Sequence, residues 1–413
     1  MLYDIAIAGA GPAGIMAALR AAEQKRNIAL IERNDSIGRK ILLSGKERCN
    51  LTNAASLEEF IARFGRQGEF LRSAFNRFSN RDLIDYFEAK GLKLKIERQG
   101  RVFPESGRAQ AVLEVLKRGL AESPVKTFFH SRLMNIGKEK EGFLLSLGGS
   151  RQIKAKRVIL ACGGKSFSWT GSSGDGFEIA RRLGHSIVPL KPALVALKVK
   201  EPWVRELDRL ILKNIRISFK GKKKKIVSEV GELHFTPFGV SGALVLDLSR
   251  KALDFLEKDK QLCLEIDLKP GLSYVQLEAR LLREFKANGR QKIEDLLKGL
   301  LPLKLIGVFV NLTGLRQDKA ANQISSQERL RLVYLFKGFP LQITGSLPLE
   351  EAMVTCGGVS TREINPRTME SLLVSGLYFA GEMIDACADT SGGYNLQQAF
   401  STGYLAGESA AKS

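Results

Sequence analysis

Tyr3-Asp4-Ile5-Ala6-Ile7-Ala8-Gly9-Ala10-Gly11-Pro12-Ala13-Gly14 opens the chain with an apolar run that passes directly into a GxGxxG. The run has the composition of a strand covered on both faces, as in a parallel sheet. The Ala-rich segment from Ala13 to Gln24 has helical propensity, Ile28 to Ile31 reads as a second strand, and Glu32 stands at its end. Gly9 allows a tight turn, Gly11 lets a pyrophosphate approach the backbone, and Gly14 lets helix pack on strand. Pro12 and Ala13 open the helix, whose free N–H groups and dipole favour phosphate. Glu32 can accept from both ribose hydroxyls of an adenosine, and Arg33 beside it joins the cofactor-binding candidates. A bare GxGxxG is a weak signal, but strand, glycines, helix, strand and acid at these distances form a strong one. A plain βαβ turn without a nucleotide is the weaker reading.

Length and composition narrow the rest. The chain has 413 residues, 44% hydrophobic and 26% charged, which describes a soluble globular protein with room for two or three cores. No apolar stretch is long enough to span a bilayer, since the best candidate, Leu296 to Leu315, contains Lys298, Pro302 and Lys304. The N-terminus runs straight into the first strand, without a signal-peptide pattern. Five cysteines (Cys49, Cys162, Cys263, Cys356, Cys387) are scattered without a CxxC, and three histidines lie far apart. Neither a disulfide framework nor a metal site is expected, and the expected location is cytoplasmic. Sixty-four basic residues against 44 acidic ones leave a net charge of +20. Such an excess favours a polyanionic partner, either nucleic acid or an anionic membrane surface.

Beyond Glu32, the stretch Gly38 to Asn53 is polar and glycine-punctuated, and supplies Lys40, Ser44, Cys49, Asn50 and Thr52 as candidates. Amphipathic helices are expected near Leu57–Phe64 and Arg81–Lys90, and a third at Ala109–Leu120. Short strands precede Arg157-Val158-Ile159-Leu160-Ala161, which ends in Cys162-Gly163-Gly164. That end is either a second approach of backbone to the dinucleotide or a simple strand-end turn. From about Pro189 the character changes. Strand-like segments appear at Leu194–Val199, Ile211–Phe219, Lys222–Val227 and Leu244–Leu248, and Gly271 to Phe336 reads as mostly helical. Between Lys213 and Lys225 stand Lys213, Arg216, Lys220, Lys222, Lys223, Lys224 and Lys225 with no acid among them, while Arg283 and Arg290 lie on the helical stretch. The run is either a polyanion site or a solvated edge that lysines protect from aggregation. The last part returns to short strands. Gly376 to Glu382 ends in Gly381-Glu382, and Ser391-Gly392-Gly393-Tyr394-Asn395-Leu396 opens a helix to about Ala411. Strand, Gly-acid and glycine-rich helix start form the usual C-terminal closure of an FAD domain. There the acid holds the ribityl–phosphate region and the helix dipole faces the flavin. The expected division is 1–190 and 346–413 for one α/β nucleotide-binding domain, with an insertion at 191–345 whose helical part covers about 271–336.

The stretches Gly38–Asn53, Val102–Gln110, Gly171–Leu197, Gly239–Ala243 and Ala352–Gly407 together resemble the BaiN/RdsA family of FAD-dependent flavoproteins. Two departures stand out: Lys46-Glu47, where that family usually has glycines, and Thr236-Pro237-Phe238, where a Thr-His-Tyr-like sequence is frequent. The resemblance implies an α/β fold, a Rossmann-type FAD-binding domain interrupted by an inserted β-barrel-like module and a helical module. It also implies reduction of a uridine in large-subunit ribosomal RNA to dihydrouridine. Other members are assigned to bile-acid enone reduction or to oxidation of a small amine, substrates that give no reason for a net charge of +20.

The expected cofactor is therefore FAD, with NAD(P)H as a transient reductant, because no second GxGxxG provides a domain for it. The expected reaction delivers hydride from the reduced flavin to C6 of a uracil ring, with protonation at C5. Cys49 is the candidate acid by residue type and place, or else a small residue packed in a tight loop. The competing classes are a small-molecule oxidoreductase and an FAD-bound RNA-binding assembly protein without redox turnover. The expected partner is ribosomal RNA.

Overall fold

The computed structural model describes residues 2–222 and 224–412. Two compact units emerge, one of Met1–Ala193 with Pro348–Ser413 and one of Leu194–Leu347. In the first, β1 (Leu2–Ala8), β2 (Ile28–Ile31), β3 (Lys126–Phe128), β4 (Leu133–Glu139), β5 (Gly142–Leu147) and β6 (Gln152–Leu160) form one sheet in the order β3-β2-β1-β6-β5-β4. A separate antiparallel pair joins β7 (Ile187–Ala193) to β8 (Val354–Val359), and β9 (Leu377–Phe379) runs parallel to the end of β6. Strand β1 lies between two parallel neighbours, with Ala8 opposite Ile31 on one side and Leu160 on the other. All four residues of β2 are buried, as expected where helices and loops cover both faces of a parallel sheet.

Strand β6 shows how sequence pattern selects environment. Its first half, Gln152-Ile153-Lys154-Ala155-Lys156, alternates exposed and buried, and pairs antiparallel with β5. Its second half, Val158-Ile159-Leu160, is wholly buried and pairs in parallel with β1 and β9. A polar/apolar alternation suits a sheet with one wet face, and a continuous apolar run suits one with none.

Helices α1 (Pro12–Ala22), α2 (Asp175–Arg182) and α3 (Tyr394–Lys412) pack into the core of this unit, together with Leu57–Arg63, Gly68–Arg77, Asn80–Ala89 and Ala109–Ala121. Helices α1 and α3 touch through small residues. A Cβ on Gly403 would lie 2.2 Å from the Ala13 carbonyl oxygen, and one on Gly407 would lie 2.3 Å from that of Ala17. The Gly403-x-x-x-Gly407 spacing puts both glycines on one face of α3, so the two backbones meet directly and fix where α3 begins.

The second unit closes on itself. Strands Leu197–Val199, Ile211–Lys220, Gly231–Thr236, Gly239–Ser241, Leu262–Asp267 and Phe339–Ser346 form an antiparallel barrel. Closure comes from the pairing of Ile211–Lys220 with Leu262–Asp267, where Ile217 faces Ile266. Closing a sheet leaves its strands without a free edge, and Lys225–Val227 adds a short strand outside the ring. Helices Tyr274–Ala287, Ile293–Leu297, Leu303–Thr313 and Ser326–Lys337 form the helical part. One expectation fails here. Leu244–Leu248 is not a strand but the start of a helix, Ala243–Asp259, in which Leu244, Val245, Ser249 and Ala252 are buried at helical spacing. A short apolar run does not distinguish strand from helix, and the pattern beyond Leu248 decides it. Among the described residues, no helix is long and apolar enough to cross a membrane.

Candidate cofactor site

The first glycine turn behaves as its spacing requires. Gly9 has φ +102°, and a Cβ there would stand 2.4 Å from the Ala161 carbonyl oxygen. A Cβ on Gly14 would stand 1.8 Å from the carbonyl oxygen of Gly9, whereas one on Gly11 would meet nothing within 4 Å. Gly9 and Gly14 are thus locked by neighbouring backbone, and Gly11 faces open space. No side chain caps α1, and no acid stands in its first turn. A cradle that is open at Gly11 and set on a helix N-terminus with no acid in its first turn fits a pyrophosphate.

Glu32 is buried at 7% exposure, and its two oxygens are oriented by backbone donors. The Ala10 N–H donates to Oε2 at 2.9 Å and the Asn34 N–H to Oε1 at 2.8 Å. A carboxylate held this way keeps lone pairs for ribose hydroxyls. Arg33 donates to Ser173 Oγ and pairs with Asp175 Oδ2 at 3.2 Å, and Arg132 reaches the same oxygen at 2.7 Å. The Asn34 amide donates to the Thr170 carbonyl at 2.9 Å. The segment after Cys162-Gly163 is thereby tied to the acid at the end of β2. Cys162 is half-buried, and burial together with the charges of Glu32 and Asp175 pushes its thiol up to about 12.

Glu382 forms a second polar centre. Its Oε2 accepts from Lys40 Nζ at 2.7 Å and the Gly164 N–H at 3.3 Å, while Oε1 accepts from the Thr355 N–H at 2.6 Å and Ser166 Oγ at 3.0 Å. Lys40 also donates to Ser166 Oγ at 2.6 Å. The sequence marks Lys40 and Glu382 separately; the fold joins them, and adds Ser166 and Thr355. Thr355 lies among the short strands of the last part of the chain and carries no motif of its own. Its neighbours Gly357 and Gly358, both at positive φ, were the available sign of an unusual backbone there.

The loop from Gly38 to Asn53 meets the start of α3 directly. The Asn50 amide, oriented so that both its ends are satisfied, donates to the Thr52 carbonyl at 3.1 Å and accepts from the Gly393 N–H at 3.1 Å. Thr52 Oγ1 donates to Gln397 at 2.7 Å, and Asn53 Nδ2 donates to the Gly392 carbonyl at 3.1 Å. A Cβ on Gly393 would stand 2.5 Å from the Thr52 carbonyl oxygen. Asn395 closes the other side, accepting from the Ala388 N–H at 2.8 Å and donating to the Ala388 carbonyl at 2.9 Å. Tyr394 packs edge-on against Phe60 at 4.9 Å, and Leu396 is half-buried beside it. Gly381 donates its N–H to Thr402 Oγ1 at 2.9 Å and accepts from Gln398 at 3.0 Å. The first turns of α3 are thus held by both ends of the chain, and no acid stands in its first turn.

Cys49 does not join this surface. It has no exposed area, its N–H donates to the Ser44 carbonyl at 2.9 Å, and burial pushes its thiol up to about 12 despite a hydrogen bond with Ser44. Ser44 Oγ donates to the Ile41 carbonyl at 2.7 Å. This is the setting of a small residue packed in a tight loop. A proton donor must face the reacting atom, so the catalytic role expected of Cys49 is not kept. The cysteine expectation changes elsewhere as well: Cys356 and Cys387 are bonded to each other, 31 residues apart. Scattered spacing hid a proximity that only the fold creates.

The basic residues of the second unit are exposed: Lys213, Arg216, Lys222, Lys224, Lys225, Arg283 and Arg290. Lys223 lies outside the described residues. The run is free of acids along the chain but not in space, because Lys220 pairs with Glu265 at 2.5 Å and Asp259 accepts from the Lys222 N–H at 2.8 Å. Among the described residues, no group of His, Cys, Asp and Glu is placed to hold a metal ion.

The HI0933-like protein Rossmann domain matches residues 3–409. A 3-dehydro-bile acid delta(4,6)-reductase of Clostridium scindens is 34% identical over 411 residues, 99% of each chain. A ribosomal RNA dihydrouridine synthase of Escherichia coli (strain K12) is 30% identical over 404 residues, 97% of this chain and 96% of that one. Among solved structures, a 3-ketosteroid delta1-dehydrogenase from Sterolibacterium denitrificans aligns with a TM-score of 0.57 at 14% identity, covering 100% of this chain and 99% of that one. A flavocytochrome c3 fumarate reductase aligns at 0.55 and 18%, covering 100% and 78%. The two structural likenesses speak for the fold alone. The sequence matches span nearly the whole length, and the chain belongs to the HI0933-like Rossmann-domain family of flavoprotein oxidoreductases.

Proposed function

We propose that this chain is an FAD-dependent oxidoreductase that reduces a carbon–carbon double bond conjugated to a carbonyl, and that its substrate is a uracil ring in large-subunit ribosomal RNA. The open Gly11 turn and the uncapped start of α1 hold the pyrophosphate, and Glu32 holds the adenosine ribose. The Lys40–Glu382–Ser166 centre and the Asn50–Gly393 contact position the strand end and helix start that complete the cradle. FAD, reduced by a nicotinamide nucleotide that binds transiently, supplies the hydride equivalent for C6 of the ring. The RNA must present the uracil out of its stack, which costs least in unpaired or loosely paired segments.

The observation that carries the RNA reading is the exposed lysine edge of the second unit in a chain with a net charge of +20. Relatives named for ribosomal RNA dihydrouridine synthesis, at 30% and 31% identity over nearly the whole chain, support it. A second reading is favoured by the 34% relative named for bile-acid reduction: the same bond chemistry on a small apolar enone. Nucleoside analysis of large-subunit ribosomal RNA from cells with and without the protein tests the choice. Loss of a dihydrouridine on deletion is expected. Unchanged dihydrouridine, with turnover of a steroid-like enone by the purified protein, assigns the small-molecule reaction instead.

A further inference from the structure

Cys356 and Cys387 have Cα atoms 5.4 Å apart, inside the range that a disulfide needs. Their surroundings give the bond a task. Cys356 lies on β8, directly after Thr355, whose Oγ1 accepts from the Lys165 N–H at 2.8 Å and the Ser166 N–H at 2.9 Å, and whose N–H donates to Glu382. Cys387 directly precedes Ala388, whose N–H and carbonyl are both held by the Asn395 side chain in the first turn of α3. Between Glu382 and Cys387 the chain is bonded to β8 once more, by the Asp385 N–H to the Val359 carbonyl. The sulfur bridge therefore joins the strand that anchors the Glu382 centre to the connection that delivers α3.

We propose that Cys356 and Cys387 form a thiol–disulfide redox site that locks the entrance of α3, the segment that closes the cofactor cradle. The consequence for the cofactor rests on the FAD reading above. Access sets the order of events: Cys356 is 1% exposed, whereas Cys387 is partly exposed. In a reducing compartment the pair stands as two thiols. The oxidant is a low-molecular-weight disulfide. The Cys387 thiolate attacks one of its sulfurs, forming a mixed disulfide and releasing one thiolate. The Cys356 thiolate then attacks Cys387 Sγ, forming the internal bond and releasing the second thiolate. Two protein thiols are oxidised, one external disulfide is reduced to two thiols, and the two protons end on the released thiolates. Reduction by an external dithiol runs the same steps backwards, again through Cys387. The buried Cys356 acts as the resolving sulfur in one direction and the first leaving group in the other.

The test uses the full flavin-loaded chain, treated with oxidised glutathione or with dithiothreitol. After denaturation the dithiothreitol sample should show five reactive thiols, and the oxidised sample three, at Cys49, Cys162 and Cys263, with a peptide linking Cys356 to Cys387 in its digest. Flavin release from the native chain should be roughly tenfold slower in the oxidised sample. In a Cys356→Ser, Cys387→Ser variant the two treatments should give one rate. Five thiols after oxidised glutathione, or a glutathione adduct on Cys387 with no internal link, overturns the redox site. Equal flavin release from linked and unlinked parent chains overturns the lock. A linked chain that never carries FAD counts against the FAD reading and leaves the redox pair standing.

Discussion

The two units of this protein handle charge in opposite ways. In the nucleotide-binding unit three poorly exposed acids are each held by several donors: Glu32 by two backbone N–H groups and Glu382 by Lys40 and two backbone N–H groups at the site, and Glu408, further along α3, by Arg20, Arg77 and Lys412. In the barrel unit Lys213, Arg216, Lys224 and Lys225 are exposed and carry no ion pair among the described residues. Charge that is buried must be paired or solvated by dipoles, so it fixes geometry. Charge that is left in water costs little to keep and draws a partner that brings the opposite sign. The first pattern suits a cofactor held in one pose, and the second suits a long polyanion held loosely.

The largest effect should come from removing the second pattern. Replacing Lys222, Lys223, Lys224 and Lys225 by serine deletes four consecutive positive charges. Each phosphate neutralised on a single strand contributes about 0.7 to the salt slope, so losing four contacts weakens RNA binding by roughly 10²–10³-fold at 0.1 M salt. FAD content should stay unchanged. A salt titration of RNA binding reads the effect, and an unaltered slope reduces the run to a solvated edge.

The next effect belongs to the first pattern. Glu408 is 4% exposed. The Arg77 hydrogen bond, acting against burial and joined by Arg20 and Lys412, holds its carboxyl down to about 2, against an ordinary value of 4.5. A carboxylate lowered on folding adds stability above its ordinary value, and that stability is lost as pH falls from about 4.5 toward 2. The shift corresponds to about 3 kcal/mol. Glu408→Gln should therefore cost about 2–3 kcal/mol at pH 7 and remove the part of the acid-side fall in stability that Glu408 contributes, leaving that of Glu328 and the other lowered carboxylates. Denaturant unfolding at pH 7, 5 and 3 checks this, and parallel pH profiles for parent and variant would refute the pairing. RNA affinity at neutral pH should not move.

Within the cradle, Glu32→Ala removes a charged acceptor and leaves the Ala10 and Asn34 N–H groups without their partner. A charge-assisted hydrogen bond contributes about 1.5–3 kcal/mol, so FAD should dissociate roughly 10- to 150-fold more readily. Equilibrium dialysis of the flavin measures it. Retention equal to the parent's would place the ribose elsewhere.

The nucleotide fold was legible because its signals are local and obligatory. Gly9, Gly14 and Glu32 each answer a constraint of one βαβ turn, and the backbone clashes at Gly9 and Gly14 show why no other residue fits. The apolar run at Val158–Leu160 was legible for the same reason, but its continuity with Gln152–Lys156 in one strand was not. The centre of Lys40, Ser166, Thr355 and Glu382 was not, because its members lie up to 342 residues apart and only the strand pairings bring them together. The Cys356–Cys387 bond was hidden in the same way. Leu244–Leu248 misled because five apolar-rich residues satisfy either period. The run at Lys213–Lys225 was legible as acid-free along the chain, but the approach of Asp259 and Glu265 from other elements was not.

The smallest effect should come from Cys49, the residue expected to act as the general acid. The thiol has no exposed area, sits at positive φ and is pushed up to about 12 by burial. At neutral pH it is therefore fully protonated, and a group that holds its proton so firmly delivers it slowly even when it has access. Cys49→Ala removes one buried atom and one hydrogen bond to Ser44, a change that costs about 1 kcal/mol in a packed core. Flavin content should match the parent's, and dihydrouridine formation on ribosomal RNA should stay within about twofold, since removal of a working general acid costs about 10²–10⁴-fold. The informative failure is a large loss of turnover with stability and flavin content intact. That result would mean that Ser44–Cys49 opens when RNA binds, and the acid would then be assigned to this thiol after all.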